Sequence, residues 1–137
     1  LSVDILHDHG RAINPAIEKG QIEGGFVQGA GWLTIEEVNW KANGELTTHS
    51  PSTYKIPAVN DMPEKFNIKI FKNMNKENVV NKSKTTGEPP LMLGMSVFFA
   101  IKDAIASVRN YKMIPELNAP ATPEAILLSI KNLKKKI

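Results

Sequence analysis

The sequence predicts an α+β fold in which a glycine-rich helix and two C-terminal helices pack on short β-strands, and three observations predict it. Strand-like alternation is confined to two short stretches, at the start and at Lys65 to Phe71. A proline-opened, glycine-dense helical run follows the first stretch, beginning at Asn14-Pro15. Apolar residues recur at helical spacing twice in the last third of the chain.

The first stretch, Leu1 to Leu6, reads as a strand ending at Asp8-His9-Gly10. Asn14 suits an N-cap and Pro15 a first helical position, where no backbone N–H is needed. The helix expected from Pro15 to Glu37 holds Gly20, Gly24, Gly25, Gly29 and Gly31. Each interior glycine costs about 0.8–1.0 kcal/mol relative to alanine, so tertiary packing must more than offset the loss. Gly25 and Gly29 share a face and allow another backbone or a flat ligand to approach; local chemistry leaves both open. Phe26, Val27, Trp32, Leu33 and Ile35 argue against a solvated linker.

Residues 38 to 49 read as a hairpin around Asn43-Gly44. Pro51 to Pro57 is an ordered loop or short helical turn, and Asn73 to Asn81 a polar surface loop. Phe66, Ile68 and Ile70 fall on one face of the second strand. One helix is expected from Leu91 to Asn110, burying Val97, Ile101, Ala104, Ile105 and Val108. The last helix starts at Thr122-Pro123-Glu124, with Ile126, Ile130, Leu133 and Ile137 along one side.

Residues 1–137 suit one domain or a piece of a larger one, and the opening at Leu1, inside an apolar run, reads as the remainder of a longer polypeptide. The chain has no cysteine, which excludes disulfides, thiolate zinc sites and iron–sulfur clusters within it and makes a reducing cytoplasm the default expectation. Net charge is +3, concentrated in Lys131, Lys134, Lys135 and Lys136, a run without interleaved aromatics that reads as a solvated end rather than a nucleic-acid site. No stretch reads as long enough to span a bilayer, and no signal-peptide layout opens the chain.

Gly87-Glu88-Pro89-Pro90 carries the chemistry. Proline at 89 disfavours a helical Glu88 and is expected to hold it extended at the foot of an apolar helix. A carboxylate with restricted geometry beside a buried element suits a general base; interaction with the positive end of the helix dipole is the competing role. Gln21 and Gln28 lie seven apart, nearly on one helix face, as amides able to recognise an oxo group or heterocycle edge, or as surface glutamines. His7 and His9 could face one side of a strand end, but with His49 the only other histidine a metal site is not expected. Ser52 and Ser96 have no plausible histidine partner nearby in sequence for a hydrolase triad, and Gly24 to Gly29 lacks both the Walker lysine and dinucleotide-fold spacing.

Three segments in order resemble signatures of the xanthine dehydrogenase and aldehyde oxidase family of molybdenum hydroxylases: Gly20 to Gly29, Pro51 to Ala58, and Gly87 to Pro90 with the helix that follows. Gly31 to Thr34 and Pro120 to Glu124 are also similar to the bacterial-type molybdenum subunit. The likeness spans nearly the whole chain and is to the C-terminal end of the molybdopterin-binding portion. It implies that Glu88 is the base that takes the proton of a molybdenum-bound hydroxide during purine hydroxylation, hypoxanthine and xanthine passing to urate. It also implies that Gln21, Gly24, Gly25 and Gly87 border a molybdenum–molybdopterin cofactor, as molybdopterin itself or in a dinucleotide form. FAD and 2Fe-2S clusters are implied on partner subunits or domains, in an oligomeric complex with the upstream molybdopterin-domain polypeptide. A related enzyme acting on aldehydes or N-heterocycles such as nicotinate is the alternative; alone, the chain would be a non-catalytic assembly module. The resemblance departs at His9, where the family pattern often carries a small aliphatic residue, and at Thr85-Thr86, where small apolar residues are more usual; it implies that both lie near the site.

Overall fold

A computed structural model describes residues 2–135. Strand β1 (Ser2–His7) and strand β2 (Lys65–Ile70) pair in parallel, Ser2 opposite Lys65 and His7 opposite Ile70. Between them runs α1 (Pro15–Thr34). After β2 come α2 (Glu88–Leu93), α3 (Met95–Ser107) and α4 (Pro123–Lys135). The result is the expected mixture of helices and short strands, with the pairing parallel.

α1 starts as its sequence dictates: Asn14 Oδ1 accepts from the Ile17 amide at 3.3 Å, with Pro15 in the first turn. It stops three residues before the expected Glu37, because the amides of Ile35 and Glu36 both turn back to the Gly31 carbonyl at 3.0 Å. Its inner side buries Ile22 and Phe26 against the sheet, where they meet Ile5, Phe66 and Ile68. The Phe26 and Phe66 rings lie 5.4 Å apart, within the range of favourable aromatic pairs.

The single helix expected from Leu91 to Asn110 is in fact two. Gly94 interrupts it with short three-residue hydrogen bonds, its amide to Leu91 O at 3.2 Å and its carbonyl to the Val97 amide at 3.1 Å. A β-carbon at Gly94 would collide with the Gly29 backbone, so the break lies where two helix backbones touch. The buried stripe is also narrower than expected: Ile105 is buried, Val97 and Ile101 half-buried, and Ala104 and Val108 exposed. Residues 88–107 reach, by length and mean hydropathy of 1.4, the threshold for crossing a bilayer, which corrects the sequence expectation; the segment opens with Glu88-Pro89-Pro90 and docks on α1.

α3 joins two cores: Val97 packs on the α1–sheet cluster, whereas Phe98, Ile101 and Ile105 meet Leu117, Ala121 and Leu133. α4 contributes Ile126, Ile130 and Leu133 to the second cluster, and Ile137 lies outside the described residues. The Ala121 amide donates to the Leu33 carbonyl at 2.7 Å, tying that cluster to the end of α1. The expected hairpin at Asn43-Gly44 is reduced to a turn with one bridge, Trp40 opposite Leu46. Pro51 to Pro57 is an ordered turn, with the Tyr54 amide bonded to Ser50 O at 2.8 Å. The Tyr54 hydroxyl donates to the buried Glu36 carboxylate at 2.6 Å, which raises the tyrosine's pKa.

Candidate functional site

The site is built where α1 and α2 cross at backbone contact. A β-carbon at Gly25 would lie 2.9 Å from the Gly87 carbonyl oxygen, and one at Gly29 would collide with Leu91 O. The open question of what packs on those glycines is therefore answered: a second helix does. Gly20 and Gly24 differ, since a β-carbon at either would meet nothing within 4 Å. That bare flank of α1 faces a cleft of about 460 Å³, lined by Gly20, Gln21, Gly24, Gly25, Gln28, Gly87, Glu88 and Leu91.

Glu88 is the first residue of α2 rather than an extended residue before it, and Gly87, the residue ahead, is already near-helical at φ −88°, ψ −43°. The proline restriction on its backbone is overridden by the helix crossing, which draws the Gly87 carbonyl onto Gly25. The carboxylate is exposed on the cleft wall, and the Thr85 hydroxyl donates to its Oε2 at 2.9 Å. Gln21 reaches across so that its Oε1 would lie 3.6 Å from a β-carbon at Gly87. Gln21 and Gln28 are both exposed to the cleft.

The segment leading to Glu88 is pinned to the end of β1. Lys84 donates its amide to His9 O at 2.8 Å and its ammonium to Asp8 Oδ2 at 2.6 Å. The Gly10 amide also donates to Asp8 at 2.9 Å. The Lys84 ammonium, then the Gly10 amide, hold the Asp8 carboxyl down at about 2.

The structure thus brings Glu88, Gln21, Gly24, Gly25 and Gly87 to one cleft. Thr85, expected near the site, lies beside Glu88, whereas Gly20 and Leu91 on the cleft wall were not named from the sequence as site residues. The four-residue spacing of Gly20 and Gly24, flanking Gln21, was the available signal for the open flank. His9 is absent from the cleft: it is buried against Glu18, Nε2 to Oε2 at 3.3 Å, beside a second concavity of about 510 Å³ bordered by Ile70, Phe71 and Met74. His7 is buried too, with the rings 6.3 Å apart. Among the described residues no three histidine, aspartate or glutamate side chains converge as metal ligands.

Chemically, the cleft combines one carboxylate, two amides able to donate and accept, and a flank without side chains against which a flat heterocycle can lie. These features fit a pterin: its edge needs paired donors and acceptors, and its ring needs close backbone approach.

Residues 1–63 match the profile of the molybdopterin cofactor-binding domain. Over 132 residues the chain is 46% identical to xanthine dehydrogenase/oxidase of Felis catus, covering 92% of this chain and 10% of that protein. It is 44% identical to aldehyde oxidase 1 of Bos taurus over 135 residues, 96% of this chain and 10% of that protein. The crystal structure of quinoline 2-oxidoreductase from Pseudomonas putida 86 superposes with a TM-score of 0.79 at 31% identity, covering 93% of this chain and 16% of that one. The chain spans about a tenth of the length of the curated relatives it matches.

Proposed function

This chain belongs to the xanthine dehydrogenase/aldehyde oxidase family of molybdenum hydroxylases, and from that premise we propose that the α1–α2 cleft is one wall of a molybdopterin site whose general base is Glu88. The observation that carries the proposal is the meeting of Glu88 with Gln21 and the bare Gly20–Gly24 flank in a single cleft. When bound, the molybdenum cofactor supplies oxygen-atom transfer and accepts the substrate's electrons. Gln21 and Gln28 offer amide contacts to the pterin or the substrate, and the glycine flank admits the ring.

Glu88 serves as proton acceptor at the cleft mouth. General-base action contributes roughly 10²–10⁴-fold to a rate when the group reaches its proton at hydrogen-bond distance. Purine hydroxylation, hypoxanthine and xanthine to urate, is the proposed reaction, and the curated relative named for xanthine supports it. Polypeptide beyond these residues supplies the remaining cofactor contacts, the purine grip and the iron–sulfur and flavin centres, in a cytoplasmic oligomer.

Replacing Glu88 by Gln in the complete enzyme is expected to lower kcat/KM by at least about 10²-fold, with molybdenum content near that of the parent. Activity within about tenfold of the parent would remove the base assignment. A second reading, oxidation of aldehydes or N-heterocycles, is favoured by the likeness to aldehyde oxidase 1 and to quinoline 2-oxidoreductase. Turnover of xanthine, hypoxanthine, nicotinate and aromatic aldehydes by the assembled enzyme separates the two.

A further inference from the structure

Resting on the assignment of Glu88 as base, we propose that Thr85 is its positioning residue, the hydroxyl holding the carboxylate on the cleft wall. Thr85 Oγ1 donates to Glu88 Oε2 at 2.9 Å, and it is the hydrogen-bond partner that this carboxylate has among the described residues. Glu88 is exposed and has three rotatable side-chain bonds, so without a tether it samples several staggered rotamers. One directional, charge-assisted bond to a carboxylate oxygen favours the rotamer that makes it.

Thr85 can act as a tether because its own backbone is held. Ser83 bridges to Gly10, and the Lys84 amide bonds to His9 O at 2.8 Å. Two residues beyond Thr85, the Gly87 carbonyl abuts Gly25 of α1. Threonine is also stiff at χ1, so the hydroxyl direction is set once the backbone is set. The competing holder would be a cation, and Lys84 is four residues away, but its ammonium is paired with Asp8 at 2.6 Å. Among the residues lining the cleft, Glu88 is the one with a titratable side chain. A neutral donor therefore places the carboxylate.

The Thr85 hydroxyl thus places the carboxylate before substrate or cofactor arrives.

The test compares Thr85→Val, Thr85→Ser and Glu88→Gln in the complete enzyme, with rates expressed per bound molybdenum. Valine keeps the shape and removes the donor, so kcat is expected to fall about tenfold with KM changed less than about twofold. Serine restores the donor and is expected to return kcat to within about twofold of the parent. Crystal structures give a readout that does not depend on turnover: Glu88 should occupy one rotamer in the parent and the serine variant, and several in the valine variant. A valine variant with parental kcat and a single parental Glu88 rotamer overturns the proposal. So does a serine variant as slow as valine. If Glu88→Gln retains activity within about tenfold, the base assignment falls and takes this inference with it; if Glu88→Gln is inactive while Thr85→Val is parental, only the tether falls.

Discussion

Asp8 shows how a residue outside the cleft sets the position of one inside it. Its carboxylate ties Lys84, and through Lys84 the segment that delivers Glu88 to α2, onto the end of β1. The Lys84 hydrogen bond and the Gly10 amide lower its pKa from 3.8 to about 2, which fixes the sign of the pH effect. A depressed carboxyl contributes stability that is fully present above the unfolded value and is lost as pH falls through the folded one. The Asp8 contribution is therefore complete above pH 3.8 and disappears as pH falls toward 2. Asp8→Asn is expected to flatten the acid limb of Tm against pH in that window, as scanning calorimetry at a series of pH values would show. At the same scale the proposed base was legible from Gly87-Glu88-Pro89-Pro90, but its backbone was not. Proline at 89 argued for an extended Glu88, and the contact between the Gly87 carbonyl and Gly25 outweighs that local preference.

Among the elements, α1 divides its glycines between two tasks, and substitution distinguishes them. Gly29→Ala places a methyl group against the Leu91 carbonyl, with no side-chain end to yield, and is expected to destabilise by about 1–3 kcal/mol, the usual range for overpacking. Gly24→Ala meets nothing within 4 Å, so the better helix former should stabilise α1 by up to about 1 kcal/mol. The same methyl group projects from the flank proposed to receive the pterin. Gly24→Ala is thus expected to raise the chain's denaturation midpoint while lowering molybdenum content in the assembled enzyme. Denaturant titration and metal analysis check the two halves, and unchanged molybdenum content would count against the flank as a cofactor surface. The sequence showed that these glycines needed a close neighbour. It could not show which ones meet α2 and which stay bare, because that depends on the crossing of helices some sixty residues apart.

Seen whole, the chain has two small cores bridged by α3, and beside them an apolar surface that neither core uses. Met92, Met95 and Phe99 recur along one side of α2 and α3 and are exposed, Phe99 by 59%. Leu6 projects from β1 and is 67% exposed. Exposed apolar side chains recurring along one side of two successive helices, as Met92, Met95 and Phe99 do, offer a surface that other protein can cover. The 137-residue chain produced alone is expected to self-associate and to bind no molybdenum stoichiometrically, since it carries one wall of the proposed site. Light scattering and metal analysis test this. A monomeric chain holding one molybdenum per molecule would overturn the view that the site needs further polypeptide.

Short-range chemistry, read residue by residue, was enough to establish the α+β class, the Asn14-Pro15 helix start, the inward face of Phe66, Ile68 and Ile70, and the amphipathic last helix. Each depends on neighbours within a turn or two, and so does the resemblance carried by contiguous motifs. The parallel pairing of β1 with β2, the break at Gly94 and the tether from Thr85 to Glu88 emerged only on folding. So did the burial of His9 away from the cleft. The first two depend on which backbones approach closely enough to exclude a β-carbon or exchange hydrogen bonds. The others depend on which side-chain directions that approach leaves, a distance condition between segments that no local pattern encodes.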